Sequence, residues 1–178
     1  MKRLFIALSF PSDIVVKLTE LQSGLRGARW EPSQNLHLTL SYIGEASNIL
    51  LEDLADVLSG LAVGAFCMQL RGINHFTSKG RSKSIWVGVA EEPSLFSLQS
   101  KIKNCLQINR IPIDKRQFSP HVTLARLKNM RPEDTAGFIA FNNLFKTRSF
   151  RVESFTLFES ILTKEGSIYL PLEKFRLI

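Results

Sequence analysis

Two tetrads of one form, His37-Leu38-Thr39-Leu40 and His121-Val122-Thr123-Leu124, stand far apart in this chain of 178 residues. Each lies in an alternating stretch that reads as a β-strand. Successive side chains on a strand point to opposite faces, so His and Thr two apart project together while Leu36, Leu38, Leu40, Val122 and Leu124 point the other way. The fold must therefore supply two half-buried strands, each with one face on a core and a polar face turned to water, ligand or a partner. A one-residue slip would invert every side chain, so both registers are tightly specified. The tetrads use two of the three histidines. A lone His-x-Thr would carry little weight; the repeat carries more.

Around these strands the order strand, helix, further strands reads twice, with no Pro/Gly-rich linker or low-complexity segment between the halves. Residues 3–9 predict a buried first strand, and Ser12 predicts the N-cap of a helix with Ile14, Leu18, Leu21 and Leu25 facing inward. Residues 35–42 form the first His-bearing strand, stopped by Gly44. Ser47 caps a second helix whose Leu50, Leu51, Leu54, Leu58 and Leu61 make a core stripe opposite Glu52, Asp53 and Asp56. Residues 66–75 and 84–89 predict a hairpin, Pro93-Ser94 opens a third helix with Leu95, Leu98, Ile102 and Leu106 inward, and residues 118–127 form the second His-bearing strand. A weaker helix after Pro132 carries Phe138, Phe141 and Phe145, and strands over 149–159 and 167–172 follow. The result is an α+β fold, one domain over residues 1–178 made of two intimately packed lobes, each a short sheet with flanking helices.

A formal net charge of +7 favours a polyanionic partner, because clustered Lys and Arg attract phosphates at long range. Charge alone does not separate RNA from a membrane surface. No Asp or Glu occurs between Asp56 and Glu91, an interval that holds Arg71, His75, Lys79, Arg81 and Lys83. Residues 77–84 read as a cationic hairpin loop, either simply solvated or in contact with a phosphate backbone. Cys67 and Cys105 are too few for a disulfide framework or a zinc site; their apolar surroundings predict buried thiols and fit a reducing cytoplasm. The opening apolar run stops at Pro11-Ser12-Asp13 without a small-residue cleavage site, so it reads as a strand rather than a signal peptide. No apolar stretch is long enough to cross a bilayer. Walker-type loops, dinucleotide-binding glycine patterns and Gly-x-Ser-x-Gly elbows are absent from the sequence, which removes the commonest nucleotide-dependent enzymes.

Two imidazoles facing a common cleft suit phosphodiester chemistry, in which one group deprotonates the nucleophile and another protonates the leaving oxygen. Histidine titrates near 6.5, so one ring can stay neutral while the other is cationic around neutral pH. A neighbouring Thr hydroxyl can donate to a non-bridging phosphate oxygen. The scheme requires neither metal nor cofactor. Competing readings exist: a hydrogen-bonded structural histidine, which is the better account of His75; zinc ligation, which the tetrads do not complete with nearby Cys, Asp or Glu; and Thr as a plain β-former. A module that binds nucleotides or RNA ends without turning them over is a further alternative.

At Asn35-Leu36-His37-Leu38-Thr39-Leu40 and Pro120-His121-Val122-Thr123-Leu124-Ala125-Arg126 the chain resembles the two-histidine (2H) phosphoesterase superfamily, and within it the bacterial and archaeal RNA 2′,3′-cyclic phosphodiesterases, also called 2′-5′ RNA ligases. The opening strand, the Lys83-Ser84-Ile85-Trp86-Val87-Gly88-Val89 strand and the Phe118-Ser119-Pro120 lead-in extend the likeness. The resemblance implies two pseudo-twofold related lobes with one tetrad on each wall of a central cleft. It also implies opening of a terminal 2′,3′-cyclic phosphate to a 2′-phosphomonoester, with RNA ends or nucleotide cyclic phosphates as partners. Reversible 2′-5′ ligation belongs to the same expectation; action on 2′-5′ oligonucleotides or small nucleotide cyclic phosphates is an alternative substrate reading, and the chain is separately expected to be a monomer with no membrane partner. Carried over, His37 is the proton donor, His121 the proton acceptor, and Thr39 and Thr123 hold the phosphate. Arg126 matches the basic residue closing the second motif, yet its odd offset from His121 demands a bulge or twist to reach the cleft. Lys83 stands where the family commonly has Arg, a change that loses bidentate phosphate binding, so Lys83 or Arg81 is expected there. Phe118 and Tyr42 are candidates to stack on a base, with core packing the alternative for Phe118.

Overall fold

The structure, a computed structural model, describes residues 1–114 and 116–178, Asn129 by its backbone alone. In chain order its elements are β1 (Lys2–Leu8), α1 (Ser12–Glu20), β2 (Ala28–Trp30), β3 (Leu38–Ala46), α2 (Asn48–Ser59), β4 (Phe66–Met68), β5 (Leu70–Ser78), β6 (Arg81–Val89), α3 (Pro93–Ile108), β7 (His121–Met130), α4 (Pro132–Asn142), β8 (Phe150–Val152), β9 (Ser154–Thr163) and β10 (Gly166–Arg176). The pairings are antiparallel, and the sheet order is β10-β9-β1-β3-β7-β6-β5, with β2 on β7 and a separate β4–β8 pair.

The two sheets expected from sequence are therefore continuous, but only just. β3 and β7 meet through the Leu38–Val122 pair. On either side of that joint the strands come from distant parts of the chain: β1 and β3 share a half-sheet with β9 and β10, while β2 crosses to β7. The central β1 is apolar on both faces, and Leu4, Phe5, Ile6, Ala7 and Leu8 are all buried. That suits a strand covered on both sides.

Helix faces close the core beneath the sheet. Ile14 and Leu18 of α1, Leu54 and Leu58 of α2, and Leu95, Leu98, Ile102 and Leu106 of α3 are buried at the predicted helical spacing. Ser47 caps α2 as expected, its hydroxyl accepting from Leu50 N at 3.2 Å. Ser12 does not cap α1. It is the first helical residue, and the Pro11 carbonyl takes the first amides, from Ile14 and Val15. Of the α4 phenylalanines only Phe138 is buried, against Trp30; Phe141 lies exposed and Phe145 falls beyond the helix.

Three other expectations change for local reasons. β3 runs through Gly44 to Ala46, because glycine at φ +89° accommodates the register shift there that a branched residue would resist. The loop over residues 77–84 is a two-residue turn: Lys79 (φ 50°) and Gly80 (φ 69°) reverse the chain, and β5 and β6 consume the rest. The strands predicted over 66–75 and 149–159 each split where the chain passes from the β4–β8 pair into or beside the main sheet. Alternation in β4 buries Phe66 and Met68 and turns Cys67 outward, so that thiol is exposed rather than buried; Cys105 is half-buried.

Candidate active site

His37 and His121 open onto one cleft of about 600 Å³, within the range of small-ligand sites. Alternation puts them there. Leu36, Leu38 and Leu40 on one strand and Val122 and Leu124 on the other are buried, which leaves His37, Thr39, His121 and Thr123 half-buried on the opposite face, all lining the cleft. The joint at Leu38–Val122 sits one residue past each histidine.

Both rings are anchored alike. His37 Nδ1 lies 2.6 Å from the Asn35 carbonyl and His121 Nδ1 lies 2.7 Å from the Ser119 carbonyl, in each case two residues upstream. A carbonyl only accepts, so Nδ1 carries the proton in both rings and Nε2 holds the lone pair of the neutral form. His37 Nε2 is 3.1 Å from Thr39 Oγ1, pairing imidazole and hydroxyl as the tetrad spacing requires.

Aromatic rings fix the planes. Phe5 and Tyr169 flank His37 with centroids at 5.0 Å each, Tyr169 edge-on. Phe76 meets His121 edge-on at 4.8 Å, with Trp86 at 5.9 Å. Burial lowers the pKa of both imidazoles from the ordinary histidine value. At His37 the Asn35 carbonyl and the Glu31 carboxylate push back up, while His121 and Arg126 depress it further. At His121 the Ser119 carbonyl pushes up and Arg116 pulls down.

Arg126 reaches the cleft by the required bulge. Ile85 stands opposite Ala125 but Trp86 opposite Thr123, so Leu124 is an extra residue on β7; Leu124 and Ala125 are both buried, and Arg126 emerges on the cleft side. Its Nε donates to Glu31 Oε1 at 2.8 Å. Tyr42 and Phe118 line the cleft too, Phe118 packing edge-on against Phe96 at 5.5 Å.

Lys83 and Arg81 are not among the residues lining the cleft, contrary to expectation. Phe76 pairs with Ser84 and Thr77 with Ser82, so Lys83 is the extra residue of a bulge on β6 and stays exposed, as does Arg81. Ser84 takes the cleft position instead. Other lining residues lay outside the sequence reading, among them Glu31, Lys103, Arg116 with its ion-pair partner Asp114, Phe5, Phe76 and Tyr169. Glu31 alone had a local clue, a carboxylate between Trp30 and Pro32 just before the first tetrad.

His75, as read from sequence, is structural: its Nδ1 lies 2.9 Å from both Ser82 Oγ and the buried Thr135 Oγ1, away from the cleft. Among the described residues, no group of three or more His, Cys, Asp or Glu is placed to hold a metal ion, and no helix is long and apolar enough to cross a membrane.

Known proteins match this chain over most of its length. An RNA 2′,3′-cyclic phosphodiesterase of Archaeoglobus fulgidus is 32% identical over 97% of this chain and 99% of its own. One of Thermus thermophilus is 31% identical over 98% and 90%. Among solved structures, a Thermus thermophilus protein superimposes with a TM-score of 0.80 at 29% identity, covering 98% of this chain and 97% of that one. E. coli LigT in apo form gives 0.82 at 23% identity over 99% and 97%, a likeness of fold. With the model of the 2′-5′ RNA ligase superfamily matching residues 10–162, both tetrads included, the chain belongs to that superfamily, the two-histidine phosphoesterases.

Proposed function

We propose that this protein is an RNA 2′,3′-cyclic phosphodiesterase that opens a terminal 2′,3′-cyclic phosphate to a 2′-phosphomonoester, with His37 as proton donor and His121 as proton acceptor. The observation that carries the reading is the pair of Nδ1-anchored imidazoles lining one cleft, each with its own threonine. Curated relatives of that name, matched over most of the chain, support the substrate class.

The neutral Nε2 of His121 takes a proton from water as its oxygen bonds to phosphorus. The bond from phosphorus to O3′ breaks, and His37 Nε2–H gives its proton to the departing O3′. One water is consumed, the phosphate stays on O2′, and the two rings exchange protonation states before solvent resets them. Burial lowers the pKa of both rings; at His37 the Glu31 carboxylate favours the proton that His121 and Arg126 oppose, and at His121 Arg116 opposes one. A bound phosphate adds negative charge beside His37 and raises its pKa towards the working range of an acid.

Thr39 and Thr123 serve as donors to non-bridging oxygens, and the Nη groups of Arg126 offset the charge that gathers in the transition state. RNA ends and small nucleotide cyclic phosphates are the partners that fit the cleft, where Lys103, Arg116 and Arg126 outnumber the carboxylates Glu31 and Asp114. Purified protein incubated with an RNA bearing a 2′,3′-cyclic end, in excess chelator, tests the reading. A 2′-phosphate product is expected; a 3′-phosphate product, or activity abolished by the chelator, overturns it.

A further inference from the structure

Glu31 brings a negative charge into a cleft whose ligand is an anion. Its placement is firmly built. Glu31 N donates to the Leu124 carbonyl at 2.8 Å, and Gln22 Nε2 bridges the Glu31 and Leu124 carbonyls at 2.7 and 3.3 Å. Pro32 follows and restricts Glu31 to extended backbone. The side chain is only 13% exposed, against 62% for its partner Arg126. An ion pair meant only to tidy the surface would not need its acid on the buried side.

The geometry leaves the guanidinium half free. Glu31 takes Nε, and among the described residues the two Nη groups of Arg126 donate to no protein acceptor. The carboxylate thus aims Arg126 and at the same time subtracts from the positive field around the phosphate site.

We infer that Glu31 is a charge counterweight that sets the cleft for singly charged phosphodiesters over doubly charged phosphomonoesters, and so drives product out. The inference rests on the reading of the cleft as a cyclic-phosphate site and deepens it. A cyclic phosphate carries one negative charge. The monoester made from it ionises a second time near pH 6 and approaches two at neutral pH. Asp114, which also lines the cleft, pairs with Arg116 and offsets it; Lys103 and Arg126 attract the dianion more strongly than the monoanion, which by itself would trap product. A fixed carboxylate repels in proportion to ligand charge and cancels that preference where it does most harm.

Glu31→Gln keeps an oxygen for Arg126 Nε and removes the charge; Glu31→Ala removes both. The probes are adenosine 2′-phosphate and its methyl ester, which is held at one negative charge, titrated calorimetrically at pH 8 into wild type and each variant, with melting curves to confirm folding. For Glu31→Gln, tightening of the monoester on the order of tenfold and of the methyl ester by less than about threefold is expected. The inhibition constant for the 2′-phosphate product should fall in step. Equal tightening of both ligands, or none, overturns the counterweight. Weakening of both by Glu31→Ala alongside the selective effect of Glu31→Gln supports the added role of aiming Arg126. Wild type that hydrolyses cyclic phosphate while Glu31→Gln shows no selectivity removes this inference alone. Wild type that selects between the probes through Glu31 yet hydrolyses nothing removes the hydrolase reading and keeps the charge selection.

Discussion

Leu38 pairs with Val122, and among the described residues this is the full register joining β3 to β7. Each residue follows a cleft histidine, so the narrowest joint of the sheet is also what sets one imidazole against the other.

Leu38 is fully buried at that joint. Leu38→Ala should cost about 2–5 kcal/mol in denaturant unfolding and lower kcat further than stability alone explains, because His37 loses its anchor below the cleft. Leu38→Met, which conserves volume, should cost less than about 1.5 kcal/mol and keep most of the activity.

His37→Ala and His121→Ala should each lower kcat by roughly 10²- to 10⁴-fold on a cyclic-phosphate RNA, the range for loss of a general acid or base. Single-turnover assays measure it directly. Two mutants with wild-type rates would show that the assignment of the tetrads is wrong.

The pH dependence of stability has a definite sign. Burial lowers both cleft imidazoles, so between their folded values and about 6.5 the unfolded chain binds more protons than the native one. Their contribution is complete above about pH 6.5 and is lost as pH falls from there through the folded values. Urea midpoints should drop from pH 8 to pH 5, and the double variant His37→Gln, His121→Gln should flatten that slope.

Thr135 Oγ1 donates to the Pro132 carbonyl at 2.8 Å and meets His75 Nδ1 at 2.9 Å, tying α4 to β5. Thr135→Val should destabilise by about 1–3 kcal/mol, since it leaves buried polar partners unmatched. Its kcat/KM should be unchanged, because the cluster lies off the cleft.

Tyr169 stands edge-on to His37 from β10. Tyr169→Phe should keep near-normal kcat, whereas Tyr169→Ala should lower it by on the order of tenfold through a loosened ring, with a small change in melting temperature.

The periodic parts of this fold were legible from sequence: the apolar stripe of α3, the Ser47 cap, the alternation that turns His37 and Thr39 one way and Leu38 and Leu40 the other. The bulge before Arg126 was legible as a requirement, because an odd offset had to be absorbed somewhere. The bulge at Lys83 was not, since nothing local distinguishes an extra residue in a hairpin from a paired one. Phe76 and Tyr169 escaped for another reason. Their roles depend on pairings between remote strands, and no short pattern encodes which strand lies beside which.

The order β10-β9-β1-β3 means that the wall behind His37 is built from both ends of the chain. On a ribosome, the segment bearing the first histidine emerges early and waits for residues 154–176 before its half-sheet can close. Such long-range pairing slows folding and leaves the β1 edge exposed meanwhile, open to mispairing with another copy. Catalytic competence therefore waits for β9 and β10, and a chain truncated before Tyr169 should yield an inclusion body rather than a slow enzyme.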